Sequence, residues 1–105
     1  MISTSQILQQ IKRSVSVTDP DATLILYGSY ARGDQREDSD IDILVLVNKD
    51  KITYDDRKRI GNPLNHLELE VGIVISPMIL SRKSWETKHT ISGFFKNVAK
   101  EGKVL

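Results

Sequence analysis

The stretch Tyr27–Val47, YGSYARGDQREDSDIDILVLV, decides the fold of this 105-residue chain. It joins a Gly-Ser turn and a polar loop to an apolar run that begins with two aspartates. The β-branched and leucine residues predict a strand over Asp40–Val47, and alternation along a strand puts Asp40 and Asp42 on one face. Two carboxylates this close repel each other, and a hard divalent cation such as Mg²⁺ relieves that repulsion.

This acidic stretch has two other possible interpretations. Asp38, Asp40 and Asp42 have the odd spacing of a calcium-binding loop, but the sixth position is Ile43 and the twelfth is Lys49. Such loops need glycine and a bidentate glutamate there, so a calcium loop is excluded. The pattern alone leaves open that the two aspartates are merely solvated at the entrance of a strand.

A second feature lies just upstream, where the apolar run Ala22–Tyr27 predicts a strand that ends at Gly28-Ser29. A strand, a tight glycine turn and a helix start bring backbone N–H groups and a hydroxyl toward an anion. Gly28 allows close approach, Ser29 offers a hydrogen bond, and Arg32 lies one turn along the predicted helical turn Ser29–Arg32. The spacing matches neither a Walker loop nor a dinucleotide fingerprint, and a plain turn stays possible.

Together the two features form a specific pattern: Gly28-Ser29, ten residues, then Asp40-x-Asp42. This resembles the G-S-x(10)-D-x-D signature of the nucleotidyltransferase superfamily that includes polymerase beta and kanamycin nucleotidyltransferase. The longer stretch GSYARGDQREDSDIDILV is most similar to the minimal nucleotidyltransferase branch, whose members are short chains. The resemblance implies one domain over residues 1–105, with the fold of the polymerase beta palm.

The same resemblance implies a third carboxylate on a later strand. The alternating and then continuously apolar segment Leu67–Ser76 is the predicted strand, and it places Glu68 and Glu70 on one face. Alignment to the superfamily puts Glu70 nearest the third position. Glu68 is expected to be a solvated charge at the edge of the sheet.

The function that the resemblance implies is magnesium-dependent transfer of a nucleoside monophosphate, AMP from ATP, to a hydroxyl. The implied catalytic and metal-binding residues are Asp40, Asp42 and Glu70, and the implied phosphate-binding residues are Gly28, Ser29 and Arg32. The expected acceptor is a partner protein of the HEPN type, which the chain would neutralise as an antitoxin. The alternatives are an inactive module that neutralises such a partner by binding alone, and a small-molecule transferase of the aminoglycoside type.

Composition limits the other possibilities. The net charge is +1 and there is no cysteine, so neither a dedicated nucleic-acid surface nor disulfides are expected. No apolar run is long enough to span a membrane, which predicts a cytoplasmic protein. His66 and His89 lack ligand spacing and are not expected to bind metal. A chain this short has little surface for both nucleobase and acceptor, so a second copy or a HEPN-type subunit is expected against Trp85–Phe95.

The remaining elements complete a predicted α/β fold, a small mixed β-sheet flanked by helices. A helix is predicted over Ser5–Val15, and Thr53 with Asp56 resembles a capping box for a helix from Tyr54. Gly61 and Pro63 are expected to kink or break that helix. A helix around Trp85 and a last one over Gly93–Lys100 follow.

Overall fold

A computed structural model describes residues 2–88 and 91–105, so the prediction for His89 lies outside the described residues. The elements follow in the order α1 (Thr4–Thr18), β1 (Thr23–Tyr27), α2 (Ser29–Arg32), β2 (Ile41–Val47), α3 (Tyr54–Val71), β3 (Ile75–Ser81), α4 (Arg82–Lys88), α5 (Gly93–Glu101) and β4 (Lys103–Val104). Helices flank one small sheet, which confirms the predicted fold class. No helix in the described part of the chain is both long and apolar enough to cross a membrane.

The sheet has four strands in the order β3-β2-β1-β4. β1 pairs antiparallel with β2 and β4, whereas β2 pairs parallel with β3, so the sheet is mixed. β2 lies in the interior and is buried along almost its whole length, as its continuous apolar sequence requires. The pairing brings the end of β1 and the beginnings of β2 and β3 to the same edge of the sheet.

The sheet separates two apolar layers. On one face α1 and α3 cover the larger core, whose buried helix residues are Ile7, Ile11, Val15, Ile60, Leu64 and Leu67. On the other face Leu44 and Leu46 pack with Val98 of α5 and Trp85 of α4. Asp42 is on this second face, because it is two residues before Leu44 in the same strand.

The helix α3 begins as predicted but does not break as predicted. Thr53 accepts a hydrogen bond from the backbone of Asp56 and donates its own backbone N–H to the Asp56 carboxylate, which confirms the capping box. Gly61 and Pro63 are predicted to kink or break the helix, but the helix does not break and continues to Val71. Pro63 is exposed, and burial of apolar residues on both sides of it outweighs the lost backbone hydrogen bond.

The predicted strand Leu67–Ser76 is wrong in its first half. Residues 67–71 are the last turn of α3, and Gly72 in the left-handed region ends the helix. Leu67 continues the buried stripe of α3 at helical spacing, and that stripe decides the conformation where a short alternating pattern is ambiguous. Glu68 and Glu70 therefore lie on a helix.

Glu68 has a structural contact at the outer edge of the sheet. Its carboxylate accepts a hydrogen bond from the backbone N–H of Ile75 at 2.8 Å. Two residues further along this edge strand, Pro77 has no N–H to offer, and the Ile79 carbonyl accepts from Arg57 of α3 at 3.3 Å. Side chains of α3 thus satisfy an edge that would otherwise be open to pairing with another chain.

An ion cluster around the buried carboxylate of Asp56 fixes the start of α3. The Asp56 carboxylate accepts from Lys49 at 2.8 and 3.0 Å, from Arg59 at 3.0 Å and from the Thr53 backbone at 3.0 Å. These donors, with Lys49 contributing most, hold the pKa of Asp56 well below its usual range. The ionised carboxylate is therefore the form that stabilises the fold.

We predict that Asp56→Asn lowers the free energy of unfolding at pH 7, because the two cations lose their shared carboxylate. A carboxyl with a depressed pKa stabilises the fold above its unfolded-state pKa of about 3.9 and loses this effect as the pH falls. The difference between the variant and the wild type should therefore shrink below about pH 4. Urea unfolding at several pH values measures it, with exposed Asp55→Asn as the control. Equal stability of Asp56→Asn and Asp55→Asn at pH 7 would contradict this assignment.

Candidate active site

The candidate site begins at Gly28 and the short helix α2 that follows it, residues 28–32, which we call the Gly28 turn. Gly28 has φ +75°, a conformation that side chains with a Cβ rarely adopt. A Cβ on Gly28 would also lie 2.5 Å from Oδ2 of Asp42. Both the backbone angle and the close approach of Asp42 therefore require glycine here.

The register of the sheet explains why Asp42 lies against this turn. Tyr27, the last residue of β1, pairs with Asp42 in the antiparallel ladder between β1 and β2. Asp40 lies just before β2 and is exposed, whereas Asp42 is half-buried on the face shared with Leu44. The strand prediction for this stretch is confirmed, with β2 beginning one residue later than expected.

The electrostatics of the site centre on Asp42. Burial, and second the nearby charge of Asp40, raise the pKa of Asp42, whereas Arg32 acts in the opposite direction. Burial and the charge of Asp42 also raise the pKa of the Tyr27 hydroxyl. Two carboxylates with one opposing cation leave an excess of negative charge at this edge of the sheet, as a cation site needs.

Arg32 lies at the end of α2 and is held by two carboxylates. Its Nε donates to Asp34 at 3.2 Å, and its Nη1 donates to Glu101 at 3.1 and 3.3 Å. Oε1 of Glu101 also accepts the backbone N–H of Gly28 at 3.2 Å. These contacts raise the pKa of Arg32, so the guanidinium stays charged.

The sequence did not predict a role for Glu101, which lies one residue beyond the predicted last helix, Gly93–Lys100. The residue reaches the Gly28 turn through the tight packing of Gly102 against β1. A Cβ on Gly102 would lie 2.5 Å from the Val98 carbonyl oxygen and 2.6 Å from Cγ2 of Ile25. A glutamate before a helix-ending glycine is the only signal in the sequence, and it does not say where that helix docks.

The structure does not bring Glu70 to the aspartate pair. Glu70 is exposed on α3 and lines a shallow groove with Arg13 of α1, on the side of the sheet opposite Asp42. Residues 2–88 and 91–105 hold no group of three carboxylate or imidazole side chains that could bind one metal ion. The prediction of Glu70 as third carboxylate is wrong, because the strand that was to carry it is a helix. On β3 the residue beside Asp42 is Ser76.

The comparison with known families agrees with this geometry. The family model described as a nucleotidyltransferase domain matches residues 5–104. The chain belongs to the nucleotidyltransferase domain family. It is thereby assigned to a family of enzymes, and the resemblance that the Gly-Ser turn and the aspartate pair carry is confirmed.

Two relatives come from Methanocaldococcus jannaschii. The chain is 37% identical over 79 residues to "Putative protein adenylyltransferase MJ0141", with 73% of this chain and 79% of that protein covered. It is 40% identical over 82 residues to "Putative protein adenylyltransferase MJ0604", with 78% of this chain and 75% of that protein covered.

A solved structure shares the fold. It is described as "Crystal structure of the toxin-antitoxin with AMP-PNP", and it superposes with a TM-score of 0.62 at 21% identity. The match covers 91% of this chain and 69% of that one. This likeness shows that the two chains have the same architecture.

We predict that Gly28→Ala destabilises this nucleotidyltransferase by about 1–3 kcal/mol, because Gly28 has φ +75° and ψ −156°, a backbone conformation that residues with a Cβ almost never adopt. The new methyl group would also push the Asp42 carboxylate from its place. Gly61→Ala is the matched control, because Gly61 lies in α3 with open space around it and alanine favours helix by up to about 1 kcal/mol. Thermal unfolding of both variants tests this, and a Gly28→Ala protein as stable as the wild type would contradict the close approach.

Proposed function

We propose that this chain is a magnesium-dependent protein adenylyltransferase, which transfers AMP from ATP to a hydroxyl of a HEPN-type partner protein. The observation that carries the proposal is the shared edge of the sheet, where the Gly28 turn, Arg32 and the aspartate pair lie together. The names of the two archaeal relatives support the reaction. The toxin–antitoxin assembly with AMP-PNP, which shares this fold, supports the nucleotide and the partner.

The aspartates fit one magnesium ion. The pKa of Asp42 is raised by burial and by Asp40, so the pair is unfavourable without a cation beside it. Mg²⁺ commonly takes one or two protein carboxylates and completes its shell with water and substrate phosphates. When bound, such an ion neutralises phosphate charge and lowers the pKa of a bound hydroxyl. Asp40 and Asp42 would hold it.

The Gly28 turn would orient the triphosphate. The N–H of Gly28, the hydroxyl of Ser29 and the guanidinium of Arg32 are the donors available to the β- and γ-phosphates. With these phosphates held, the acceptor oxygen attacks the α-phosphorus in line, and pyrophosphate leaves. Most of the acceleration would come from positioning and charge neutralisation, as in other phosphoryl transfers.

The acceptor would approach from the side of α5. Phe94 is 47% exposed there and meets Tyr27 edge to face with ring centroids 5.9 Å apart. Ile91, three residues earlier, is 73% exposed. This apolar surface adjoins the strand that ends at the Gly28 turn, so a protein docked on it would stand next to the reacting groups.

A second function is favoured by one observation. β3 presents Ser76, not an acid, beside Asp42, and the described residues supply only two carboxylates to the proposed metal. A chain with this site could bind nucleotide and a HEPN-type partner without turnover, and so neutralise the partner by complex formation.

The experiment that separates the two functions uses the chain, magnesium, α-labelled ATP and, as the partner, the protein encoded by the neighbouring gene. Label on the partner, with a mass increase of one AMP on a hydroxyl residue, supports transfer. A stable complex without label supports neutralisation by binding. Transfer of label to an aminoglycoside and not to protein would overturn the protein-acceptor assignment while leaving the nucleotidyl chemistry in place.

We predict that Asp42→Asn abolishes transfer, because the change removes a metal-binding charge. It should also raise the melting temperature of the metal-free protein at pH 7 by roughly 1–3 °C, because the charge repulsion at this partly exposed site is relieved. The gain should shrink as the pH falls toward 4, where the raised pKa lets Asp42 bind a proton in the wild type. Glu70→Gln is the control, and we expect its turnover to equal that of the wild type. Transfer by Asp42→Asn would remove Asp42 from the site.

A further inference from the structure

The donors of the Gly28 turn already bind an anion that belongs to the chain itself. Oε1 of Glu101 accepts both the Gly28 N–H at 3.2 Å and Nη1 of Arg32 at 3.1 Å. Oε2 of Glu101 adds a second contact to the same guanidinium nitrogen at 3.3 Å. One carboxylate therefore joins the backbone donor and the cation that would bind phosphate oxygens.

The Gly28 amide cannot donate to Glu101 and to a phosphate at the same time. The Gly28 amide has one hydrogen, and it points to Oε1 of Glu101. A phosphate oxygen that took this hydrogen would lie within a few ångströms of the carboxylate, and two such anions repel strongly unless one leaves. Nucleotide binding in the proposed way therefore requires that Glu101 release the turn.

We propose that Glu101 is an autoinhibitory contact, an internal competitor that nucleoside triphosphate displaces from Gly28 and Arg32. The inference rests on the proposed function, because it takes the Gly28 turn to be the triphosphate site. When no nucleotide is bound, Glu101 occupies the donors of the turn and excludes weakly binding anions. A ligand with several phosphates and a divalent cation displaces it.

The exposure of the contact fits a group that can be displaced. The side chains of Glu101 and Arg32 are 28% and 46% exposed, so water screens their attraction. A triphosphate offers several oxygens and more charge to the same donors. Only molecules in which Glu101 has released the turn can bind the ligand in this way. The apparent affinity is therefore the intrinsic affinity multiplied by the fraction of such molecules.

Release of Glu101 has a consequence for the end of the chain. Glu101 is the last residue of α5, and Gly102 leads directly into β4, which pairs with Ile25 and Leu26 of β1. β4 has only two residues, so its pairing depends on the adjoining contacts. Triphosphate binding should therefore loosen β4, and the backbone amide of Leu105, which donates to the Leu24 carbonyl of β1 at 2.9 Å, should exchange faster.

The test measures binding of ATP with magnesium, and of inorganic tripolyphosphate, by calorimetry to the wild type and to three variants. Glu101→Gln removes the charge and weakens the contact, whereas Glu101→Asp keeps the charge but shortens the reach. We expect both to bind roughly three- to tenfold tighter than the wild type. Asp34→Asn is the control, because Asp34 contacts Arg32 but not the Gly28 amide, and its gain should be smaller than that of either variant.

The outcomes separate the two proposals. Wild-type binding with no gain in Glu101→Gln and Glu101→Asp overturns the competitor and makes Glu101 a support for the turn. A gain in Glu101→Gln and Asp34→Asn alike, without one in Glu101→Asp, also overturns it, because net charge then explains the result. Absence of binding by all four proteins overturns the proposed function and this inference with it.

A measurement on the unaltered chain does not depend on how the variants fold. The side-chain carboxyl carbon of Glu101 and the amide of Gly28 are followed by NMR during titration with tripolyphosphate. We expect the Glu101 signal to move to the position of a solvated glutamate as the Gly28 amide shifts. A Glu101 signal unchanged at saturation would overturn the proposal.

Discussion

The close approach of the Asp42 carboxylate to the backbone at Gly28 is the contact on which the rest of the site depends. It needs a residue without a Cβ and with positive φ at the end of β1, and it needs β1 and β2 in one register. Once both are met, the donors of the Gly28 turn and the carboxylates of the aspartate pair occupy the same edge of the sheet. The ten residues between Ser29 and Asp40 then span the distance that returns the chain to that edge.

The aspartate pair lowers the stability of the protein when no cation is bound. Asp42 is half-buried beside another carboxylate, with Arg32 the opposing cation. Arg32 is shared in turn with two other carboxylates, Asp34 and Glu101, so it does not neutralise the aspartate pair. Elsewhere the chain matches a buried carboxylate fully, as Asp56 with two cations shows. A half-buried carboxylate beside a second one, with its charge not fully matched, is characteristic of a functional site.

What the sequence could predict depended on how local the cause was. The turn at Gly28, the strand from Ile41 and the capping box of Thr53 are set by neighbouring residues, and each was predicted within a residue. The stretch around Glu70 was assigned to a strand, because its alternation fits period two while the buried stripe from Ile60 to Leu67 extends over a longer range. Glu101 could not be predicted, because its place is set by the docking of α5 on β1.

The same long-range packing changes how the chemistry is understood. α3 carries the acids that were expected to complete the metal site, and it uses one of them, Glu68, to satisfy the edge of β3. The strand beside Asp42, β3, supplies Ser76 in their place. A different carboxylate, Glu101, reaches the Gly28 turn from the side of the sheet where β4 lies. Because Glu101 contacts the hydrogen-bond donors that would bind phosphate, it cannot substitute for a carboxylate beside the proposed metal. In the proposed function, Asp40 and Asp42 hold the cation, and Glu101 covers the anion donors until a more highly charged ligand displaces it.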